Sequence, residues 1–144
     1  MIIVNSLEKS FGAQNLFEGV SFLMNEGERV GLVGKNGTGK STLFKMILGQ
    51  EAPDTGTLTV PKGYKIGALE QIISFTQSSV LKECVQVLSS ERQWEHYKAE
   101  IILSGLGFSE QDFHKDPATF SGGYQVRINL CKALLANPNM LLLD

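Results

Sequence analysis

Apolar positions along the chain change their spacing as it proceeds, from short alternating runs near the N-terminus to helical stripes in the second half. Ile2, Ile3, Val4 and Leu7 predict a first strand, and the run over residues 17–24 predicts a second. The turn residues Asn25-Glu26-Gly27-Glu28 lead into Arg29-Val30-Gly31-Leu32-Val33, and 28–33 reads as a buried strand. Leu43, Phe44, Ile47 and Leu48 form the apolar stripe of a helix that begins near Lys40 and is stopped by Gly49. Pro53-Asp54-Thr55-Gly56 has turn chemistry, 57–60 alternates like a strand and 64–69 gives another. From Ile72 to Phe120 the period is helical, with helices predicted over 80–89 and 91–104, the latter carrying Trp94, Tyr97, Ile101 and Ile102 toward the core. Gly105-Leu106-Gly107-Phe108 ends that helix, and Asp116-Pro117 marks the next boundary. Ser121 suits the N-cap of a last helix whose inner face is Tyr124, Ile128, Cys131 and Leu135. Asn137-Pro138 ends it, and Met140 to Leu143 is an apolar strand that runs into the carboxylate of Asp144.

Between the predicted strand at 28–33 and the helix from Lys40 lies Gly34-Lys35-Asn36-Gly37-Thr38-Gly39-Lys40-Ser41-Thr42. It fills every fixed position of the phosphate-binding P-loop, or Walker A, pattern. Gly34, Gly37 and Gly39 let the backbone turn tightly around an anion, so that successive N–H groups point at the α- and β-phosphates. The helix then places its positive dipole end under the phosphates. The Lys40 ammonium reaches the β- and γ-oxygens, and the Ser41 hydroxyl is a ligand for Mg²⁺. The bland alternative is a glycine-rich turn before a helix. The order strand, loop, helix favours the nucleotide-binding reading.

Composition narrows the picture. With 144 residues and 42% hydrophobic content, the chain can form one domain with a sizeable core, or be a piece of something larger. Thirteen Lys and Arg against fifteen Asp and Glu leave a net charge of −2, so no global basic field announces a nucleic-acid partner. Cys84 and Cys131 lack metal-ligand spacing and read as reduced core residues. No run approaches the roughly 18 apolar residues of a membrane span, and the N-terminus has no signal-type segment. The expectation is a soluble, cytoplasmic protein with no direct membrane insertion. His96 and His114 have no partner at ligand spacing and read as surface histidines.

Four further features carry candidate chemistry. Phe11, between Ser10 and Gly12 in a predicted loop, is a candidate for stacking on a nucleotide base, with a core role as its rival. Gln71 follows a strand and could coordinate Mg²⁺ or orient an attacking water, although most such glutamines are simply solvated. Ser121-Gly122-Gly123 forms a second helix N-terminus suited to an anion. Asp144, at the end of an apolar strand, is placed as P-loop nucleotidases place the carboxylate that holds the Mg²⁺ shell.

P-loop, glutamine after a strand, helical stretch, Ser-Gly-Gly helix and apolar strand with a terminal aspartate resemble, in that order and over the whole chain, the ATP-binding cassette (ABC) ATPases. The resemblance implies an α/β fold: a P-loop NTPase cassette core with an N-terminal antiparallel β-subdomain and a short helical subdomain. Residues 1–71 would be the β-subdomain and P-loop core, 72–120 the helical subdomain, and 121–144 the signature helix and Walker B strand. It implies ATP and Mg²⁺ as ligands, with Lys40, Gln71 and Asp144 as catalytic residues and Ser41, Gln71 and Asp144 around the metal. Phe11, Gly34, Asn36, Gly37, Thr38, Gly39, Lys40, Ser41 and Thr42 would bind the nucleotide. Ser121, Gly122, Gly123, Tyr124 and Gln125 would form the signature loop, which in this family contacts ATP held by a second cassette paired head to tail.

Phe120 and Tyr124 depart from the transporter form, which has Leu before the serine and Gln directly after the second glycine. Phe-Ser-Gly-Gly-Tyr-Gln-Val-Arg, with Leu16-Phe17-Glu18-Gly19-Val20-Ser21-Phe22 upstream, is most similar to the first cassette of the F subfamily. Those are soluble tandem-cassette proteins, many acting on ribosomes, which makes the ribosome and translation the candidate setting. The alternatives are the ATP-binding subunit of a membrane transporter and a non-catalytic nucleotide-binding fragment. The segment from Gln71 to Ser121 is short for that subfamily, so its helical arm is expected to be absent or reduced. The chain stops at Asp144, before the family's following glutamate and switch histidine. ATP binding with little turnover is therefore expected, together with unpaired sheet edges that favour association.

Overall fold

Ile2, Val4, Leu7 and Lys9 all lie on the buried face of the first strand, β1 (Ile2–Phe11), although the parity of their spacing changes midway. A bulge reconciles the two halves. The pairing register shifts between Val4 and Leu7, Ser6 takes a positive φ of 45°, and its N–H donates to Ser21 Oγ at 2.8 Å. One extra residue thus keeps the same face inward. In this computed structural model, which describes residues 1–69 and 73–143, β1 is the central strand of an antiparallel sheet of order β2-β1-β3. Its partners are β2 (Gln14–Met24) and β3 (Thr55–Thr59). Helix α1 (Lys40–Ile47) buries Leu43, Met46 and Ile47, close to the predicted stripe. These elements form one unit, Met1–Tyr64; Lys65–Asp144 form the other.

The strand predicted over residues 28–33 is not formed. Val30 and Leu32 are exposed, and Val33 is 95% exposed. A strand exists through its ladder, and no described strand pairs with this segment. The apolar run records a capacity for burial, which needs a neighbour to be realised.

In the second unit, β4 (Ile66–Ala68) pairs in parallel with β5 (Met140–Leu142). The chain between them supplies α2 (Val80–Val85), α3 (His96–Gly105) and α4 (Gly122–Leu135). Asn137 turns the chain from α4 toward β5 at φ 51°, and Asn139 locks the pair: its Oδ1 accepts from Lys65 N–H at 2.9 Å, and its N–H donates to Lys65 O at 2.8 Å. Val80, Cys84, Leu103, Phe113, Ile128 and Leu135 are among the residues of one buried cluster with Ala99 and Cys131. Both cysteines are free and buried as expected, and the neighbouring Cys131 thiol and burial push the Cys84 thiol well above its usual range. His96 and His114 are exposed, as read from the sequence.

The expected core role of Trp94, Tyr97 and Ile101 is overturned: all three are exposed, Trp94 by 66%. Residues Ser90–Glu95 form a 3-10 turn before α3, which rotates the inward stripe onto Glu95, Ala99 and Leu103. Glu95 tolerates that place because Arg92 Nη2 and Lys98 Nζ donate to its carboxylate at 2.8 and 2.7 Å. Those hydrogen bonds hold its carboxyl down at about 2. Lys115 and Ser109 do the same for Asp112, also at about 2.

These depressed carboxyls contribute to the acid response of the second unit. Unfolded carboxyls titrate near pH 4, so the stabilisation is complete above that pH and is lost as pH falls toward about 2. The unfolding midpoint, followed by circular dichroism, is expected to fall across this window. Glu95→Gln and Asp112→Asn together should flatten the slope; an unchanged slope in the double variant would contradict the assignment.

Candidate functional site

The backbone between Gly34 and Lys40 follows a path that only glycine accommodates at two points. Gly37 and Gly39 have φ of 81° and 97°, and a Cβ on Gly39 would lie 2.8 Å from Phe17 Cζ. Phe17, on β2, thus forms the floor of the loop. Within the loop, Thr38 N–H and Oγ donate to Lys35 O at 3.3 and 2.8 Å. The Lys40 ammonium folds back and donates to Gly34 O at 2.8 Å and Lys35 O at 2.9 Å. The Lys40 cation therefore sits against the start of the loop, while Asn36, Gly37 and Thr38 form its exposed crest.

Gly39 stands at the N-cap of α1 and offers no side-chain cap, and the first turn carries no acidic residue. The first amide hydrogens of a helix have no partner within the helix, and the dipole gives this end a partial positive charge. Ser41 and Thr42 occupy that turn. Positive φ glycines, a lysine folded along the loop and an uncapped helix start have the chemistry to cradle a phosphate.

Phe11 proves to be the last residue of β1 rather than a loop residue. It pairs with Gln14 across the two-residue turn Gly12-Ala13, and 51% exposure excludes a buried core role. Gln14 Nε2 donates to Gly37 O at 3.3 Å and ties this hairpin to the P-loop. Sequence reasoning missed both Gln14 and Phe17. Phe17 could be read only as one apolar position of a strand, and nothing local marked Gln14.

In the second unit, Ser121 occupies the N-cap of α4, but its hydroxyl makes no capping bond, contrary to the role expected from its type. Ser121, Gly122 and Gly123 are exposed. Gln125 Nε2 donates to Phe120 O at 2.9 Å and to Ala118 O at 3.3 Å, and so braces the loop from within its own helix. Tyr124 packs edge-on to Phe108 at 5.1 Å and against Phe120 at 5.9 Å. Arg127 lies over the Tyr124 ring at 4.8 Å and donates to Leu106 O at 3.0 Å. Tyr124 and Gln125 thus hold the shape of the loop, and the Ser-Gly-Gly crest is exposed. Gln71 and Asp144, the other two expected site residues, lie outside the described residues. Among the described residues no group of three or more His, Cys, Asp or Glu side chains could hold a metal ion, and no helix is long and apolar enough to cross a membrane.

The family model described as ABC transporter matches residues 17–144, a span that includes both the phosphate cradle and the Ser-Gly-Gly helix. The chain belongs to the ABC transporter family. The energy-dependent translational throttle protein EttA of Escherichia coli K12 is 35% identical over 155 residues, covering 98% of this chain and 26% of EttA. The probable ATP-binding protein YheS of Haemophilus influenzae is 30% identical over 174 residues, covering 100% of this chain and 27% of YheS. Both spans exceed the 144 residues of this chain, so these ABC relatives carry residues with no counterpart here. The chain spans about a quarter of the length of the curated relatives it matches. The dimeric, ADP- and Pi-bound post-hydrolysis structure of the ATP-binding cassette MJ0796 superposes with a TM-score of 0.80 at 23% identity, covering 100% of this chain and 73% of that one. The fold is that of an ABC ATPase cassette, as the resemblance implied.

Proposed function

We propose that the chain is the MgATP-binding part of an F-type ABC ATPase that acts on the ribosome. The observation that carries the nucleotide half is the P-loop cradle, with Lys40 folded against Gly34 and Lys35 and the uncapped start of α1 behind it. The backbone amides of 37–42 would take the phosphates, Lys40 would follow charge on the β- and γ-oxygens, and Phe11 would stack on the base. Ser41, with Gln71 and Asp144, would hold Mg²⁺, which supplies neutralisation of phosphate charge. ATP hydrolysis is the activity of the family; in it Gln71 would orient the attacking water and Asp144 would hold the metal.

The division into a β-subdomain and P-loop core over 1–71, a helical subdomain over 72–120 and a signature and Walker B part over 121–144 belongs to the same reading. A reduced arm in the middle part is supported by the longer spans of EttA and YheS. The ribosomal half is supported by the translational throttle activity in the name of EttA and by Phe120 and Tyr124 in the signature. Pairing with a second cassette is supported by the dimeric MJ0796 structure; in such a pair Ser121-Gly122-Gly123 would face the γ-phosphate held by the partner's P-loop. A cytoplasmic setting belongs to the ribosomal half of the reading. The transporter reading has solved structures in its favour, among them the ATP-binding subunit of an ABC transporter at 26% identity and a metal-chelate type ABC transporter at 25%.

The two readings part in one experiment. The full-length protein that contains this chain is expected to co-sediment with ribosomes in the presence of ATP and to stay out of detergent-solubilised membrane complexes. Recovery with a membrane permease, and none with ribosomes, would reverse the ranking.

A further inference from the structure

Lys9 is a cation on the buried face of a strand, and only 8% exposed. Its ammonium has three donors, and each is engaged: Glu51 Oε1 at 2.7 Å, Ala52 O at 2.8 Å and Asp54 Oδ1 at 3.2 Å. All three acceptors come from the segment that follows α1. The group so fixed lies 5.1 Å from the centroid of the Phe11 ring. Asp54 also accepts from Ser10 N–H at 2.8 Å and Ser10 Oγ at 3.0 Å, and its own N–H donates to Glu8 O at 2.9 Å. The backbone leading into Phe11 and one face of its ring are thus held by the same few residues.

We propose that Lys9 is a positioning residue for nucleotide recognition: it covers one face of the Phe11 ring and leaves the other for an adenine base. The proposal rests on the reading of Phe11 as the base-stacking residue. A ring carries negative charge on both faces, and a cation on one face attracts it and restricts its tilt. The cation also draws the π-cloud toward itself, so the opposite face repels the π-cloud of a purine less. Glu51 and Asp54 neutralise the ammonium, which therefore does not compete with Lys40 for phosphate. On the far side of the hairpin, Gln14 holds Gly37 O, so the same hairpin carries the stacking ring and a brace of the phosphate cradle.

The competing account is that Lys9 only ties β1 to the chain after α1. Binding of MgATP and of magnesium tripolyphosphate, which has no base, separates the two in the full chain. Lys9→Met is expected to weaken MgATP binding about three- to tenfold and to leave tripolyphosphate binding unchanged. Phe11→Ala should cost about tenfold or more for MgATP alone. In the Phe11→Ala background, Lys9→Met should add nothing; with Phe11 in place, Lys9→Arg, which keeps a cation over the ring, should retain most of the affinity that Lys9→Met loses. Equal losses for both ligands, or additive losses in the double variant, would overturn the proposal and leave the stacking role of Phe11 intact. No effect of Phe11→Ala would remove the stacking role, and the proposal with it. If Lys9→Met does not fold, Lys9→Gln keeps donors for Asp54 and Ala52, removes the charge and reads the same outcomes.

Discussion

Replacing Lys40 by alanine is expected to weaken MgATP binding about 10- to 100-fold with the fold preserved, the size of losing one hydrogen-bonded charge. Lys40 is only partly buried, and the two carbonyls it meets, Gly34 O and Lys35 O, belong to exposed residues, so water takes over those acceptors when the ammonium is removed. What disappears is the cation proposed to meet the β- and γ-phosphates; the glycine turns at 37 and 39 and the helix start remain. Titration calorimetry on folded wild type and Lys40→Ala measures the difference. Equal affinities would take Lys40 out of the site.

Glu83→Ala should destabilise the second unit by about 3 kcal/mol or more, within the range for removing one partner of a buried ion pair. Glu83 is 0% exposed. One carboxylate oxygen accepts from Lys132 Nζ at 2.7 Å and from Gln86 Nε2, and the other from Thr76 and Gln77 N–H at 2.9 Å each. Burial pushes this carboxyl up, but Lys132 and the two amides outweigh it and hold it below the ordinary glutamate range. Without it, two backbone donors and an ammonium lose their acceptor at once. Lys132 keeps some access to water, which places the cost toward the lower end of the range. Chemical denaturation checks the value, and a loss under about 1 kcal/mol would show that water or a neighbouring acceptor replaces the carboxylate. Glu83→Leu combined with Lys132→Met should recover part of the loss, because no charge is then left unpaired.

The sequence by itself determined the features whose physics is local. The P-loop was legible because glycines that permit positive φ, a lysine and a hydroxyl must fall within nine residues for phosphate to be held. The inner face of α4 at Ile128, Cys131 and Leu135 was legible for a similar reason, since a period of 3.6 states which residues share a side. Tertiary structure decided everything that needs a distant neighbour. Residues 28–33 have the composition of a strand, yet a ladder requires a paired chain, and none of the described strands supplies it. Trp94 and Tyr97 have the composition of a core, yet a 3-10 turn set the phase of α3, and Arg92 and Lys98 made Glu95 acceptable inside. The work of Lys9 was hidden for the same reason: its partners Glu51, Ala52 and Asp54 lie more than 40 positions away. No spacing along a strand reports that a lysine on its buried face is neutralised from across the fold.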